Sequence, residues 1–353
     1  MRSYCAARHA RFGGQHTYVG VADYYLQLDA TGLRNCSFGQ MAASHIGVFR
    51  IFISWGFVER TPRHYDFSLY DRLIADLAQH HMTALAVIVG APLRLTTAPQ
   101  IGPYAGQYPP AHAAQVASFA AQAAKRYGRG GTFWRGHPAV PYYPVTAWQV
   151  WNEPNLKIFW EPSPNAPAYA RLLRATYKAV KKVDRRATIV MAGMPYATQY
   201  SPASSFYTQL YKLGARGTFD VLALHDYAPN PEEALLRLQL VRGIMDGFHD
   251  RRTPIWITEM GWATTGPPPP YSPPYIAGVA GQRNYISRFF RYVAQYRSRL
   301  RLGEVVWYGW RDIRWQDVHT PDFWGYHTGL FTNSLRPKPG LAAFTAAIRQ
   351  LNR

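Results

Sequence analysis

The chain carries seven glutamates, at positions 59, 153, 161, 232, 233, 259 and 304, and two of them stand in apolar runs that would otherwise exclude charge. Glu153 lies in Trp-Gln-Val-Trp-Asn-Glu-Pro-Asn (148–155), and Glu259 in Ile-Trp-Ile-Thr-Glu-Met-Gly-Trp (255–262). Each run has the length and the β-branched and aromatic content of a buried strand, so each glutamate is expected at a strand end. Burial among Trp and Ile raises a carboxyl's pKa, which suits a general acid working near neutrality. Two opposed carboxyls are what cleavage of a glycosidic bond requires, because a poor leaving oxygen must be protonated while an oxocarbenium-like centre is stabilised from the other face. At a separation of about 5–5.5 Å the second carboxylate attacks the sugar itself and configuration is retained; at about 6.5–9.5 Å a water fits between and it is inverted. A strand-end glutamate taken alone can equally be an ordinary rim salt bridge. Two of them so embedded are much harder to explain that way.

Such a pair needs a scaffold that brings distant segments to one place. Short β-branched or apolar runs alternate with longer stretches of helical period throughout, which points to βα units around a parallel sheet. Eight strands are expected, near 18–25, 47–55, 84–90, 145–152, 188–192, 221–227, 255–259 and 305–310, with helices near 33–44, 68–80, 111–127, 169–180, 204–213, 232–248, 282–296 and 339–351. The fourth helix is the clearest, with Tyr169, Leu172, Leu173, Thr176, Tyr177 and Val180 on one face. Ser68 and Asp71 form an S-x-x-D capping pattern for the second helix, and Gly128 suits the left-handed position after the third. The expected fold is a single α/β domain, a (β/α)8 barrel over residues 17–353, with residues 1–16 an N-terminal extension.

In that fold the loops after the strands build the functional face, and strands four and seven lie across the mouth from each other. Glu153 and Glu259 can therefore oppose one another over a bound sugar. The long loops 91–112, 155–167, 263–281 and 311–338 fall on that face, and the tract Pro267–Pro270 should be a stiff, extended wall. Tyr104, Tyr108, Trp160, Trp262, Tyr271, Tyr275, Trp315, Phe323 and Trp324 sit in these loops, where flat apolar rings suit either packing or the C–H faces of sugars. Asp23, Trp55 and Asp312 are further rim candidates.

Composition bounds the partners. No stretch approaches the ~18 uninterrupted apolar residues of a membrane helix. The 39 Lys+Arg against 20 Asp+Glu give +19, which invites nucleic acid, but the cations are scattered. Their tightest runs, Lys181-Lys182 with Arg185-Arg186 and Arg297 to Arg301, fall at helix ends, where they complement the dipole. The balance favours a solvated surface or an acidic glycan over nucleic acid. Cys5 and Cys36 have no metal-site spacing and are either free thiols or one bridge. The basic N-terminus has no apolar core of ~7–15 residues, so no signal peptide is expected in it.

The motifs Trp-Asn-Glu-Pro (151–154) and Thr-Glu-Met-Gly-Trp (258–262) resemble the acid/base and nucleophile motifs of glycoside hydrolase clan A, and the likeness runs over about residues 17–351. Within the clan the chain looks most like families 39 and 5. The resemblance implies a retaining β-glycosidase acting through a covalent glycosyl-enzyme, with Glu259 as nucleophile and Glu153 as acid/base, a carbohydrate substrate, and neither metal nor organic cofactor. It implies that Asn152 binds the sugar 2-hydroxyl, that Arg50 steadies the nucleophile, that His225 and Tyr227 flank it, and that Trp310 stacks on a sugar. On the residues alone, Arg50 could be an interior ion pair, His225 a core histidine or a metal-ligand pair with Asp226, and Trp310 plain packing. Val-Gly-Ala-Pro (89–92) departs from many clan members in offering no histidine after strand three. From a different class, a catalytically silent barrel that binds polysaccharide at a cell surface would also use the basic surface.

Overall fold

The computed structural model describes residues 18–99, 107–196, 202–268, 275–318 and 320–351. Eight parallel strands form the sheet: β1 Val19–Ala22, β2 Val48–Ser54, β3 Thr83–Val89, β4 Ala147–Val150, β5 Thr188–Met191, β6 Leu222–His225, β7 Ile255–Met260 and β8 Leu302–Tyr308. Each is followed by a long helix: α1 Thr31–Ala43, α2 Ser68–Gln79, α3 Ala113–Tyr127, α4 Ala166–Val183, α5 Ala203–Lys212, α6 Pro231–Gly247, α7 Gly278–Leu300 and α8 Pro339–Leu351. The ladder runs in the order β5-β4-β3-β2-β1-β8-β7-β6. Between β5 and β6, among the described residues, the ring is joined only by the isolated parallel bridges Val190↔Val221 and Pro195↔His225. The fold is a single (β/α)8 barrel.

Two layers of apolar packing follow from strand alternation. Ala22, Val48, Leu85, Ala147, Val190, Val221, Ala223 and Val306 form one cluster drawn from strands all around the ring, which is the barrel interior. The residues of opposite parity, such as Phe49, Ile51, Trp148, Val150 and Trp307, belong to the larger layer between barrel and helices. In β4 this parity sends Ala147 and Gln149 inward and Trp148 and Val150 outward.

Several local expectations change. Ser68 does not cap α2: the N-cap is Phe67, without a side-chain bond, and Ser68 N–H instead bonds Asp66 Oδ1 at 2.9 Å. Asp71 is drawn away to Arg126 and Tyr127 of α3. Gly128 ends α3 at φ −70°, an extended rather than left-handed conformation. It is needed for closeness, since a Cβ there would lie 2.5 Å from the Ala124 carbonyl oxygen. Asn165 and Asn230 supply the side-chain caps of α4 and α6, each followed by a proline in the first turn. Cys36 is disulfide-bonded; Cys5, the chain's other cysteine, lies outside the described residues, as do residues 1–16, Tyr104, Tyr271, Pro269 and Pro270.

Candidate active site

Glu259 is the fifth residue of β7 and points into the barrel mouth. Glu153 lies three residues beyond β4, after a backbone turn that few side-chain-bearing residues adopt: Trp151 has φ 71° and Glu153 φ 43°. Bonds to both neighbouring strand ends pin that turn, Trp151 N–H to Ile88 O at 3.0 Å and Glu153 N–H to Gly193 O at 3.1 Å. Trp151 closes it from outside, its indole N–H donating to Phe159 O at 2.8 Å and its ring edge-on to Trp160. The strained backbone is thus the segment that aims Glu153.

Both carboxyls are buried, Glu153 at 7% and Glu259 at 6% exposure, and their surroundings differ in charge. Arg50, wholly buried on β2, donates from Nη1 to Glu259 Oε1, and Tyr227 donates its hydroxyl to Glu259 Oε2 at 2.8 Å. Among the described residues no Lys or Arg is paired with Glu153; its Oε1 lies 2.6 Å from His225 Nδ1. Burial, and then the charge of Glu259, push Glu153 well above the usual carboxylate range, with Arg50 pulling weakly the other way. Burial raises Glu259 as well, but less, because Arg50 and Tyr227 offset part of it. One proton on the pair therefore resides on Glu153, with Glu259 as the anion. His225, fully buried and near Arg50, is held well below its ordinary pKa and stays neutral, so its contact with Glu153 is a hydrogen bond and not an ion pair.

One oxygen or ring nitrogen from each of Glu153, His225 and Glu259 lies within 4.8 Å of the others. The cation already present is the Arg50 guanidinium, which occupies the charge a metal ion would need. Asn152 joins the group by accepting from Arg50 Nη2 on Oδ1 at 2.9 Å, which leaves its amide N–H donors for a ligand. Asp226 is not part of it; its carboxyl is buried without a hydrogen-bond partner, and the charges acting on it are those of Arg237 and Glu233 of α6. The ring of His225 fills the space beside Gly193, where a Cβ would sit 2.1 Å from Cδ2.

The other expected residues fall elsewhere. Trp310 is fully buried in the outer layer, with its indole N–H toward Gln40 of α1 at 3.4 Å and its ring against Phe331, so it has no face to offer a sugar. Gly309, at φ 86°, breaks the strand alternation just before it. Trp262 likewise turns outward, donating to Ala228 O at 2.8 Å and packing on Tyr285 and Phe289 of α7. Trp55 stacks on Phe119 of α3 and donates to Glu59. Asp23 caps the short helix Tyr24–Leu28 and accepts Trp310 N–H at 3.0 Å, which ties the ends of β1 and β8 together. Asp312 pairs with Lys338 at 2.7 Å.

Three residues that the sequence did not single out do reach the centre. Tyr308, inward like Val306 two positions before it, meets Tyr227 edge-on at 6.0 Å. Gln149 and Thr258 lie beneath the carboxylates, fully buried and bonded to each other at 3.0 Å. Strand parity places Tyr308 and Gln149 on the inner face but does not show what they touch. Of the loop aromatics, Tyr275 and Trp324 pack on Tyr227, Trp160 is interior, and Trp315 and Phe323 stay exposed.

No protein-family model matches the sequence, and no curated protein matches it. Solved structures do. A family 39 glycoside hydrolase from the gut symbiont Bacteroides cellulosilyticus WH2 superposes with TM-score 0.70 at 20% identity, over 96% of this chain and 64% of that one. A monomeric β-xylosidase from Caulobacter crescentus CB15 gives TM-score 0.66 at 15% identity, over 93% and 67%. A family 5 glycoside hydrolase from Bifidobacterium longum, solved with Manβ1-4GlcNAc, gives 0.66 at 13%, over 95% and 78%. The chain thus spans about two thirds of the length of the first two. These likenesses establish a shared barrel fold.

Proposed function

We propose that this chain is a clan A glycoside hydrolase that cleaves O-glycosidic bonds with retention of configuration. The observation that carries the proposal is the carboxyl pair: two buried glutamates on opposite sides of one barrel mouth, unequal in charge, with oxygens within 4.8 Å. That spacing supports direct attack, because the interposed water of an inverting enzyme needs about 6.5–9.5 Å between carboxyls. A barrel that only binds glycan has no use for two buried acids held in different protonation states.

In this mechanism ionised Glu259 attacks the anomeric carbon as the bond to the leaving oxygen breaks, and protonated Glu153 gives that oxygen its proton. A glycosyl ester on Glu259 results. Glu153, now a carboxylate, takes a proton from water, whose oxygen forms the new bond to the anomeric carbon and expels Glu259. Arg50 and Tyr227 hold Glu259 as an anion before attack and after release. Neutral His225 can bond Glu153 in either protonation state, and Asn152 presents its N–H to the sugar beside the reacting carbon. The positive surface supports an anionic glycan as substrate.

Aryl glycosides and polysaccharides test this. Glu259→Gln should abolish turnover. Glu153→Gln should slow substrates with poor leaving groups by about 10²–10⁴-fold, and slow activated aryl glycosides less, since their leaving group needs little protonation. Proton NMR should show the first-formed anomer with the substrate's configuration. Wild-type-like turnover in either variant, or an inverted product, would sink the proposal.

A further inference from the structure

We propose that Gln149 is a positioning residue that aims the Arg50 guanidinium at Glu259 and Asn152. Its part in turnover rests on the glycosidase function proposed above; its part in setting the charge of Glu259 does not.

Gln149 is fully buried inside the barrel, and its amide is used on both sides. Nε2 donates to Met191 O on β5 at 3.1 Å and to Thr258 Oγ1 on β7 at 3.0 Å. With both N–H bonds committed, Oε1 must face Arg50, where it accepts from Nε at 2.7 Å. The reversed amide would set donor against donor, so the orientation is determined by its partners. Arg50 is a planar fork, and fixing Nε fixes the directions of Nη1 and Nη2. Those two directions are Glu259 Oε1 and Asn152 Oδ1. Phe52, with its ring 4.7 Å from the guanidinium carbon, supports the fork but supplies no hydrogen-bond acceptor.

Removing the glutamine acceptor leaves a buried N–H unpaired, and the guanidinium must turn to satisfy it. Glu259 is faced by Arg50 from β2, Glu153 from beyond β4, Tyr227 and His225 from the end of β6, and Tyr308 from β8. Only Arg50 among these is a cation. Any turn of its fork therefore makes the Glu259 anion less favourable, and its pKa rises.

Gln149→Met keeps the length and burial of the side chain but removes both polar ends. With ¹³C-labelled glutamate the chain gives seven carboxyl signals, and Glu259 is assigned by its loss in Glu259→Gln. The expected result is a Glu259 titration moved up by about one unit. On any glycoside the wild type cleaves, the acidic limb of kcat/KM should move with it and kcat should fall by about tenfold to a hundredfold. Thr258→Val, which removes one of the two acceptors that orient the amide, should move the titration the same way by less. An unchanged Glu259 titration in folded Gln149→Met overturns the inference even if Tm falls; should that variant not fold, an unchanged titration in Thr258→Val does so. A wild type inactive on every glycoside would instead overturn the proposed function and leave the titration to decide on Gln149.

Discussion

Asp226 stands between two residues that reach the carboxyl pair, His225 and Tyr227, and its own side chain takes no part. Both of its oxygens are buried without a hydrogen-bond partner, and burial, only partly offset by Arg237 and reinforced by the charge of Glu233, pushes it up to about 8. The folded chain therefore holds a proton that an unfolded aspartate, near 3.9, has released. Folding stability from this group is full below the unfolded value, falls as pH rises toward 8 and levels beyond it. Asp226→Asn should accordingly leave Tm unchanged near pH 4 and raise it by a few degrees at pH 8 to 9, as thermal melts across that range would show. A gain constant with pH would mean that ionisation is not the cost. How far single residues could be read from sequence follows the same physics. Glu153 and Glu259 stood out because charge in an apolar run is expensive and needs a reason. Gln149 did not, because a neutral polar residue in a strand gives no such alarm, and its partners Arg50 and Thr258 lie far from it along the chain.

At the scale of elements, the eight strands and eight helices were readable from periodicity because each buries one face or one stripe. The ends were less readable, and β8 shows why it matters. Its expected end at Trp310 lies two residues past the observed end at Tyr308. Apolar content does not reveal Gly309, whose positive φ turns the chain and sends the next side chain to the outer layer. Trp310 then becomes part of the joint between β8 and α1, and Tyr308 the residue that faces the mouth. Trp310→Leu should thus lower Tm by several degrees, as loss of a buried aromatic does, while KM for small glycosides stays at the wild-type value. A raised KM with unchanged Tm would return Trp310 to the substrate. The cap of α2 was misread for a related reason: S-x-x-D describes local chemistry, and Asp71 finds a better partner on α3, where Arg126 bonds it through Nε at 2.8 Å.

At the scale of the whole molecule, some of the positive charge gathers in one recess. Tyr177, Lys178, Lys181, Lys182 and Arg185 line a surface recess at the C-terminal end of α4, which leads into the start of β5 and so lies at the barrel end away from the mouth. Lys181 is paired with Asp220 at 2.8 Å. The remaining cations can hold a polyanion without presenting it for cleavage. Retention on a polygalacturonate column should weaken as salt is raised, and Lys178→Glu with Lys182→Glu should reduce it while turnover of neutral aryl glycosides stays the same. Retention indifferent to salt or to those changes would show that this recess holds no polyanion. The ring itself has a different asymmetry. Its sparse join lies between β5 and β6, and each glutamate takes its partner from a strand far from it along the chain: Glu259 on β7 takes Arg50 from β2, and Glu153 after β4 takes His225 from β6. A nascent chain emerging from the ribosome holds Glu153 for some hundred residues before Glu259 exists. Each carboxyl therefore gains its partner only when strands far apart in the chain have met, and a barrel built from the first four strands alone has neither contact.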